Sequence, residues 1–243
     1  LQFERNLDGA ELASIRELLR RRGHHEPVAY ITGEREFFGR AFRVTPDVLV
    51  PRPETEVLVD RALRVLRASP DHGAQRVADL GAGSGCVAVT LAAELPQVSV
   101  IATDVSQPAL DVARSNAERH AVADRVSFVL TSWADGVDEL DVVISNPPYV
   151  TVAELSTADA DVRDFEPPLA LLGGDDGLDA YRALAASVQN RVRPAGTVLL
   201  EVDTNRVDAV RQVMSAALPD AEATTHADLT GRPRILELHR PPR

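Results

Sequence analysis

Leu12, Ile15, Leu18 and Leu19 recur at helical spacing behind Asp8 and Glu11, a pair with the form of a capping box, and Gly23 stops the run. The pattern predicts one amphipathic helix. A lone helix of that length is marginal, so its apolar stripe is expected to pack on the main domain or on helices upstream. From Arg35 to Val44 the residues alternate around Gly39-Arg40 as in a β-hairpin, and a loop follows from Thr45 to Pro53. Val57, Leu58, Ala62, Leu63 and Leu66 then fit a helix over 54–66, with Glu54 and Glu56 in its first turn behind Pro53.

Further on, short β-rich apolar runs alternate with helical ones. Strands are expected at Arg76–Leu80, Val98–Asp104, Val126–Leu130, Leu140–Ser145, Thr197–Val202 and Ile235–His239, with helices near 85–94, 107–119, 177–192 and 205–217. Such alternation builds an α/β fold, a largely parallel sheet covered by helices on both faces. Residues 151–176 are rich in Asp, Pro and Gly and too long for an ordinary connection, so they read as a functional loop with room for one short helix.

Composition changes this picture in a few respects. The 243 residues suffice for one large α/β domain and a small appendage, and no apolar run approaches the length of a membrane span. A single cysteine, Cys86, excludes an internal disulfide and a multi-cysteine zinc site, and suits a reducing compartment. With no signal peptide visible behind Leu1, the cytoplasm is the expected location. The net charge of −11 argues against wrapping a long stretch of nucleic acid. All 26 basic residues are arginines, which we read as codon bias. Cys86 reads as packing, and His24-His25 as a solvated helix end that gives no reason to expect a metal.

The candidate chemistry gathers at strand ends. Gly81-Ala82-Gly83-Ser84-Gly85 follows the first strand of the main domain and would put a tight turn with open backbone N–H groups at its carboxyl end. It lacks the third glycine of the dinucleotide fingerprint and the Lys-Ser/Thr of a phosphate loop, which favours a nucleoside cofactor over a pyrophosphate one. A plain strand-to-helix turn would use the same glycines. Asp104 ends the next strand, 19 residues after Gly85, where a carboxylate can accept from ribose hydroxyls, while Ser106 is free to cap the following helix. Asp79 has two readings of equal weight: a partner for a cofactor ammonium group, or a buried acid tied to backbone amides.

Leu140–Ser145 then delivers Asn146-Pro147-Pro148-Tyr149 to the same sheet edge. The prolines fix φ and remove two donors, leaving carbonyl oxygens free to accept. Asn146 Oδ1 and the Pro147 carbonyl could hold both protons of an NH2 group and turn its lone pair toward an electrophilic methyl group, with Tyr149 as a flat wall. No strong base is needed, because the nitrogen becomes acidic once methylated.

In this order the glycine turn, Asp104 and Asn-Pro-Pro-Tyr resemble class I methyltransferases that modify nitrogens. Pro51-Arg-Pro-Glu-Thr-Glu56, Glu26–Gly33, Glu36-Phe-Phe-Gly39, Phe165–Leu171, Gly173–Gly177 and Asp228–Arg232 are similar to the HemK/PrmC family specifically. The resemblance covers roughly residues 10–240. It implies a Rossmann-like, seven-stranded, mostly parallel sheet preceded by a helix and a small hairpin. It also implies methyl transfer from S-adenosyl-L-methionine, leaving S-adenosyl-L-homocysteine, to the glutamine amide of the Gly-Gly-Gln motif in class-I peptide-chain release factors.

Carried over by position, Gly81, Ala82, Gly83, Ser84 and Gly85 would lie along the methionine part of the cofactor, Asp104 on its ribose and Trp133 beside the adenine. Asn146, Pro147, Pro148 and Tyr149 would hold the glutamine, with Phe37, Arg52 and Glu54 walling the pocket and Phe38 and Phe42 in the core. Ser132 stands where the family is usually acidic, and Asp203–Arg206 where it often has a glutamine. The implied organisation is residues 1–24 as the last part of an N-terminal helical substrate-binding domain, 25–52 as a linker with the hairpin, and 53–243 as the catalytic domain. Expected partners are release factors, through acids of 154–164 that otherwise form a solvated face, with no membrane or metal and no nucleic acid. Two rival functions stay open: methylation of an exocyclic base amine in nucleic acid, with a flipped base stacked on Tyr149, and a non-catalytic module that keeps the cofactor fold.

Overall fold

The computed structural model describes residues 6–68 and 75–242, so Leu1–Arg5 of the N-terminal segment lie outside the described residues. Helix α1 (Gly9–Gly23) starts at the expected capping box, with Asp8 accepting from the Ala10 and Glu11 amides and Glu11 accepting from the Asp8 amide. Its apolar stripe finds no cover among the described residues: Leu12, Ile15, Leu18 and Leu19 are all exposed, which removes the expectation that the helix packs on the main domain. A short helix the apolar pattern did not reveal, α2 (Val28–Thr32), leads into the hairpin β1 (Glu34–Phe37) and β2 (Arg40–Arg43).

The main sheet has seven strands in the order β5-β4-β3-β6-β7-β9-β8, with β3 Arg76–Leu80, β4 Ser99–Asp104, β5 Val126–Leu130, β6 Leu140–Ser145, β7 Val192–Glu201, β8 Glu222–Ala227 and β9 Pro233–His239. Strands β5 to β7 run parallel, and β9 runs antiparallel between β7 and β8. Residues alternate between two apolar layers. Val77, Val142, Ile144 and Leu199 face α3 (Pro53–Ala68) and α4 (Cys86–Glu94), whereas Ala78, Leu80, Val143, Val198 and Leu200 face α9 (Asp179–Val188) and α10 (Val207–Ala217). Helix α5 (Gln107–Arg119) is capped by Ser106 as expected, the hydroxyl accepting from the Ala109 amide at 3.2 Å.

Order reverses between β3 and β6, because the chain winds outward through β4 and β5 before returning to the other side of β3. A crevice at the carboxyl ends of strands therefore opens there. The hairpin and the loop after it are pinned over this crevice. Asn116 of α5 accepts from the Arg43 amide at 2.7 Å and donates to the Arg43 and Ser84 carbonyls. Tyr30 donates to the Val48 carbonyl at 2.6 Å, and Val44, Val48 and Val50 pack on Ala109 and Val112. Residues 151–176 hold three short helices rather than one, α6 (Val152–Thr157), α7 (Ala160–Phe165) and α8 (Pro168–Leu171).

Candidate active site

Two cavities lie over the crevice, of about 500 and 200 Å³. Gly81, Ala82, Gly83, Ser84, Asp79, Asp104 and Trp133 line the larger one, Pro147, Tyr149 and Glu201 the smaller, and Leu49, Arg52, Asn146, Pro148 and Ala170 line both. The wall between a cofactor-sized space and a smaller one is thus built from Asn146 and its neighbours.

On the larger side the glycine turn keeps most of its donors for itself. The Gly81 and Ala82 amides both donate to the Thr103 carbonyl, Gly85 to Ala82, and Gly83 to Asp104 Oδ2 at 2.9 Å. These four amides are therefore taken, and they form no phosphate cradle. Asp104 Oδ1 accepts from the Ser106 amide at 2.9 Å, and each carboxylate oxygen keeps further acceptor capacity for a hydroxyl. Trp133 stands in the left-handed region at φ 48°, an uncommon place for a bulky residue, with its indole 3.8 Å from where a Gly81 Cβ would be. Asp79 is the buried acid tied to a backbone amide, Oδ2 accepting from the Ala88 amide at 3.0 Å, and the residue also lines the cavity. Burial pushes its carboxyl up to about 7.

Three expected site residues lie elsewhere. Phe37 is 1% exposed and packs edge-on against Phe42, 5.9 Å between ring centres, because the hairpin pleat turns it inward to the core; it lines neither cavity. Phe42 is core as expected, and Phe38 is partly buried against the same cluster. Glu54 is exposed in the first turn of α3 and also misses both cavities, the helix having turned Thr55 inward instead. Gly85 adopts φ 75°, and a Cβ there would stand 2.9 Å from Ala113 Cβ, so this glycine serves the close approach of α4 and α5.

The smaller cavity is held by contacts far apart in sequence. Asn146 Nδ2 donates to Thr55 Oγ1 at 3.1 Å, and Thr55 Oγ1 donates to Glu201 Oε2 at 2.7 Å. Arg52 sends Nη2 to both carboxylate oxygens of buried Glu166 at 2.7 Å, tying the cover loop to the segment after α7. Gly173 lies against the tetrapeptide: a Cβ there would be 2.7 Å from Tyr149 Cα and 2.8 Å from the Pro148 carbonyl oxygen. Arg206 pairs with Glu154 and Asp203 and donates to the Asp176 carbonyl, which gives the Asp203–Arg206 stretch a structural task. Thr55, Glu201 and Glu166 were missed as site residues: Thr55 stands between two glutamates of a helix start, Glu201 closes an apolar strand, and only the fold gives Glu166 its Arg52 partner.

The model of the Methyltransferase small domain family matches residues 56–162, and that of the PrmC N-terminal domain matches residues 1–33. A release factor glutamine methyltransferase of Nitratidesulfovibrio vulgaris is 46% identical over 82% of this chain and 67% of its own length. One from Cereibacter sphaeroides is 44% identical over 94% of this chain and 80% of its own. The chain belongs to the release factor glutamine methyltransferase family. Among solved structures, the release factor-specific protein-(glutamine-N5) methyltransferase of Alicyclobacillus acidocaldarius is 33% identical, covering 83% of this chain and all of that one, with a TM-score of 0.51. Family membership agrees with the class I methyltransferase sheet described above, and no helix among the described residues is long and apolar enough to cross a membrane.

Proposed function

We propose that this protein transfers a methyl group from S-adenosyl-L-methionine to the side-chain amide nitrogen of the glutamine in the Gly-Gly-Gln motif of class-I peptide-chain release factors. The observation that carries the reading is Asn146 and Pro148 standing in the wall shared by the two cavities, with Pro147 on the smaller side, in a member of this family. The cofactor supplies a sulfonium-bound methyl group. The chain's residues suit it: Asp104 offers carboxylate lone pairs to ribose hydroxyls, Trp133 an aromatic wall to the adenine, and Asp79 a buried carboxyl to the ammonium group.

In the smaller cavity the Asn146 and Pro147 carbonyl oxygens accept the two amide protons, and Tyr149 packs against the planar side chain. This orients the nitrogen lone pair at the methyl carbon. The bound cofactor would supply the methyl group as an electrophile, its sulfur keeping the S–C electron pair; Asn146 and Pro147 would hold the accepting nitrogen toward it, and the extra proton of the methylated nitrogen would pass to water, so no strong base is called for. Burial pushes the Tyr149 phenol up to about 12, which keeps it neutral beside the substrate.

Residues 1–33 we assign to the substrate-gripping region, with the hairpin as linker and the catalytic domain from Pro53 onward. The test is transfer of labelled methyl from S-adenosyl-L-methionine to a purified release factor, to its Gln→Ala variant and to duplex and single-stranded nucleic acid. Label confined to the glutamine-bearing protein supports the reading. Equal labelling of the Gln→Ala protein refutes it, and label on nucleic acid that disappears with nuclease would transfer the assignment to base amines.

A further inference from the structure

We infer that Thr55 and Glu201 form a buried relay that sets which way round the Asn146 carboxamide sits, and so act as positioning residues for the methyl-accepting nitrogen. This rests on the proposed role of Asn146 Oδ1 as acceptor. Thr55 is 3% and Glu201 2% exposed, and they come from elements that meet only in the fold. Glu201 follows Leu200, whose side chain faces α9 and α10, so the alternation of β7 turns Glu201 to the α3 face, where Thr55 sits in the first turn of the helix.

The Thr55 hydroxyl owns one proton, and it is committed to Glu201 Oε2 at 2.7 Å. Toward Asn146 the Thr55 oxygen can therefore only accept, and it receives Nδ2–H at 3.1 Å. A reversed carboxamide would set Oδ1 against the Thr55 oxygen with no proton between them, an unsatisfied pair in a buried place. With Nδ2 held by Thr55, Oδ1 is the end of the carboxamide left to accept from a substrate NH2 group, which brings donors and needs acceptors. A protonated Glu201 could instead donate to Thr55, free the hydroxyl proton for Asn146 Oδ1 and permit the wrong orientation.

The groups around Glu201 leave that switch within reach. Burial pushes its carboxyl up to about 7, opposed by the Thr55 hydrogen bond and by Arg234 of β9 and Arg52 of the cover loop, and aided by Glu54 of α3. Tyr181 of α9 donates to the Glu201 backbone carbonyl at 2.9 Å rather than to the carboxylate, and the Glu201 charge also reaches Tyr149 and the Cys86 thiol of α4. The ionised form is thus the one that fixes the productive amide.

Two measurements on the full chain test this. In the first, nitrogen-15 NMR follows the Asn146 side-chain amide in the protein alone. Its signals should shift with pH around 7 in the wild type, and the shift should vanish in Glu201→Gln. An Asn146 amide that does not titrate, or that titrates equally in Glu201→Gln, overturns the relay whatever the substrate proves to be.

The second is methyl transfer to a release factor at saturating S-adenosyl-L-methionine. Thr55→Val, isosteric but without the hydroxyl, should lower kcat on the order of tenfold or more, the equivalent of one misplaced hydrogen bond. In a separate titration of the methyl donor its KM should change far less than kcat, because valine keeps the volume that Thr55 presents to the larger cavity. Thr55→Ser should restore kcat. Glu201→Gln should lower kcat and flatten its fall below pH about 7, and the double variant should be no worse than Thr55→Val. Wild-type kcat in folded Thr55→Val overturns the inference. A release factor left unmethylated by the wild type would count against the proposed substrate, while the amide titration would still decide the relay.

Discussion

Replacing Gly85 by alanine separates the two tasks a glycine in the turn can have. The residue sits at φ 75°, and an added Cβ would meet Ala113 Cβ at 2.9 Å, Ala113 Cα at 3.2 Å and Val89 Cγ2 at 3.5 Å. The left-handed backbone costs a non-glycine residue roughly 1–2 kcal/mol. Forcing a methyl group between two packed helices adds roughly 1–3 kcal/mol, because the nearest atoms belong to a short, stiff alanine that cannot swing away. The sum is about 2–5 kcal/mol, which for a chain of this size lowers the melting temperature by roughly 7–14 °C at the middle of that range. Gly83→Ala is the control: φ is 53°, nothing lies within 4 Å of its Cβ, and the residue lines the larger cavity. It should lose only the backbone share of stability, about 1–2 kcal/mol, while its methyl group intrudes on the cofactor. The assay pairs thermal unfolding with calorimetric titration of S-adenosyl-L-methionine. A Gly85→Ala protein that melts with the wild type yet binds the cofactor poorly would refute the reasoning and return Gly85 to the binding surface.

Asp104→Ala should weaken cofactor binding by roughly tenfold to a hundredfold, as expected for losing one charged acceptor of hydroxyl protons, and Asn146→Ala should instead cut turnover on the order of a hundredfold with cofactor affinity little changed. Calorimetry and steady-state kinetics would show the reverse pattern if the two roles were exchanged. Asp79 has a folded-state carboxyl raised from 3.8 to about 7 by burial, so the stability it contributes is full below 3.8 and is lost as pH rises through about 7. Asp79→Asn should accordingly flatten the decline in melting temperature over that window, and an unchanged slope would contradict the burial argument. Arg52→Ala strands the Glu166 carboxylate, whose side chain is 1% exposed, and because Arg52 itself is about a third exposed the cost should be about 2 kcal/mol. An unshifted urea midpoint would show that the pair holds nothing.

The sheet was legible where strands carry β-branched and apolar residues between turn signals: the buried β3 and β6 and the edge strand β5 have the bounds that Arg76–Leu80, Leu140–Ser145 and Val126–Leu130 predict. Strand β8, Glu-Ala-Thr-Thr-His-Ala, was not found, since an edge strand with one solvated side carries no such run. At the site, short motifs at strand ends bring Asp104 and Asn146 to one cavity. Period alone could not tell Phe37 from Phe38, because a two-residue turn decides which ring the pleat turns inward. Nor could it pair Thr55 with Glu201, 146 residues later, where only the crossing of α3 over β7 brings a hydroxyl to a carboxylate.

Most directly, the account stands on where the methyl group lands. A release factor incubated with the enzyme and S-adenosyl-L-methionine, digested and sequenced by tandem mass spectrometry, should carry one added methyl group on the glutamine of its Gly-Gly-Gln peptide, and Asn146→Ala should leave that peptide unmodified over the same interval. A methyl group on any other residue, or full modification by Asn146→Ala, would contradict it.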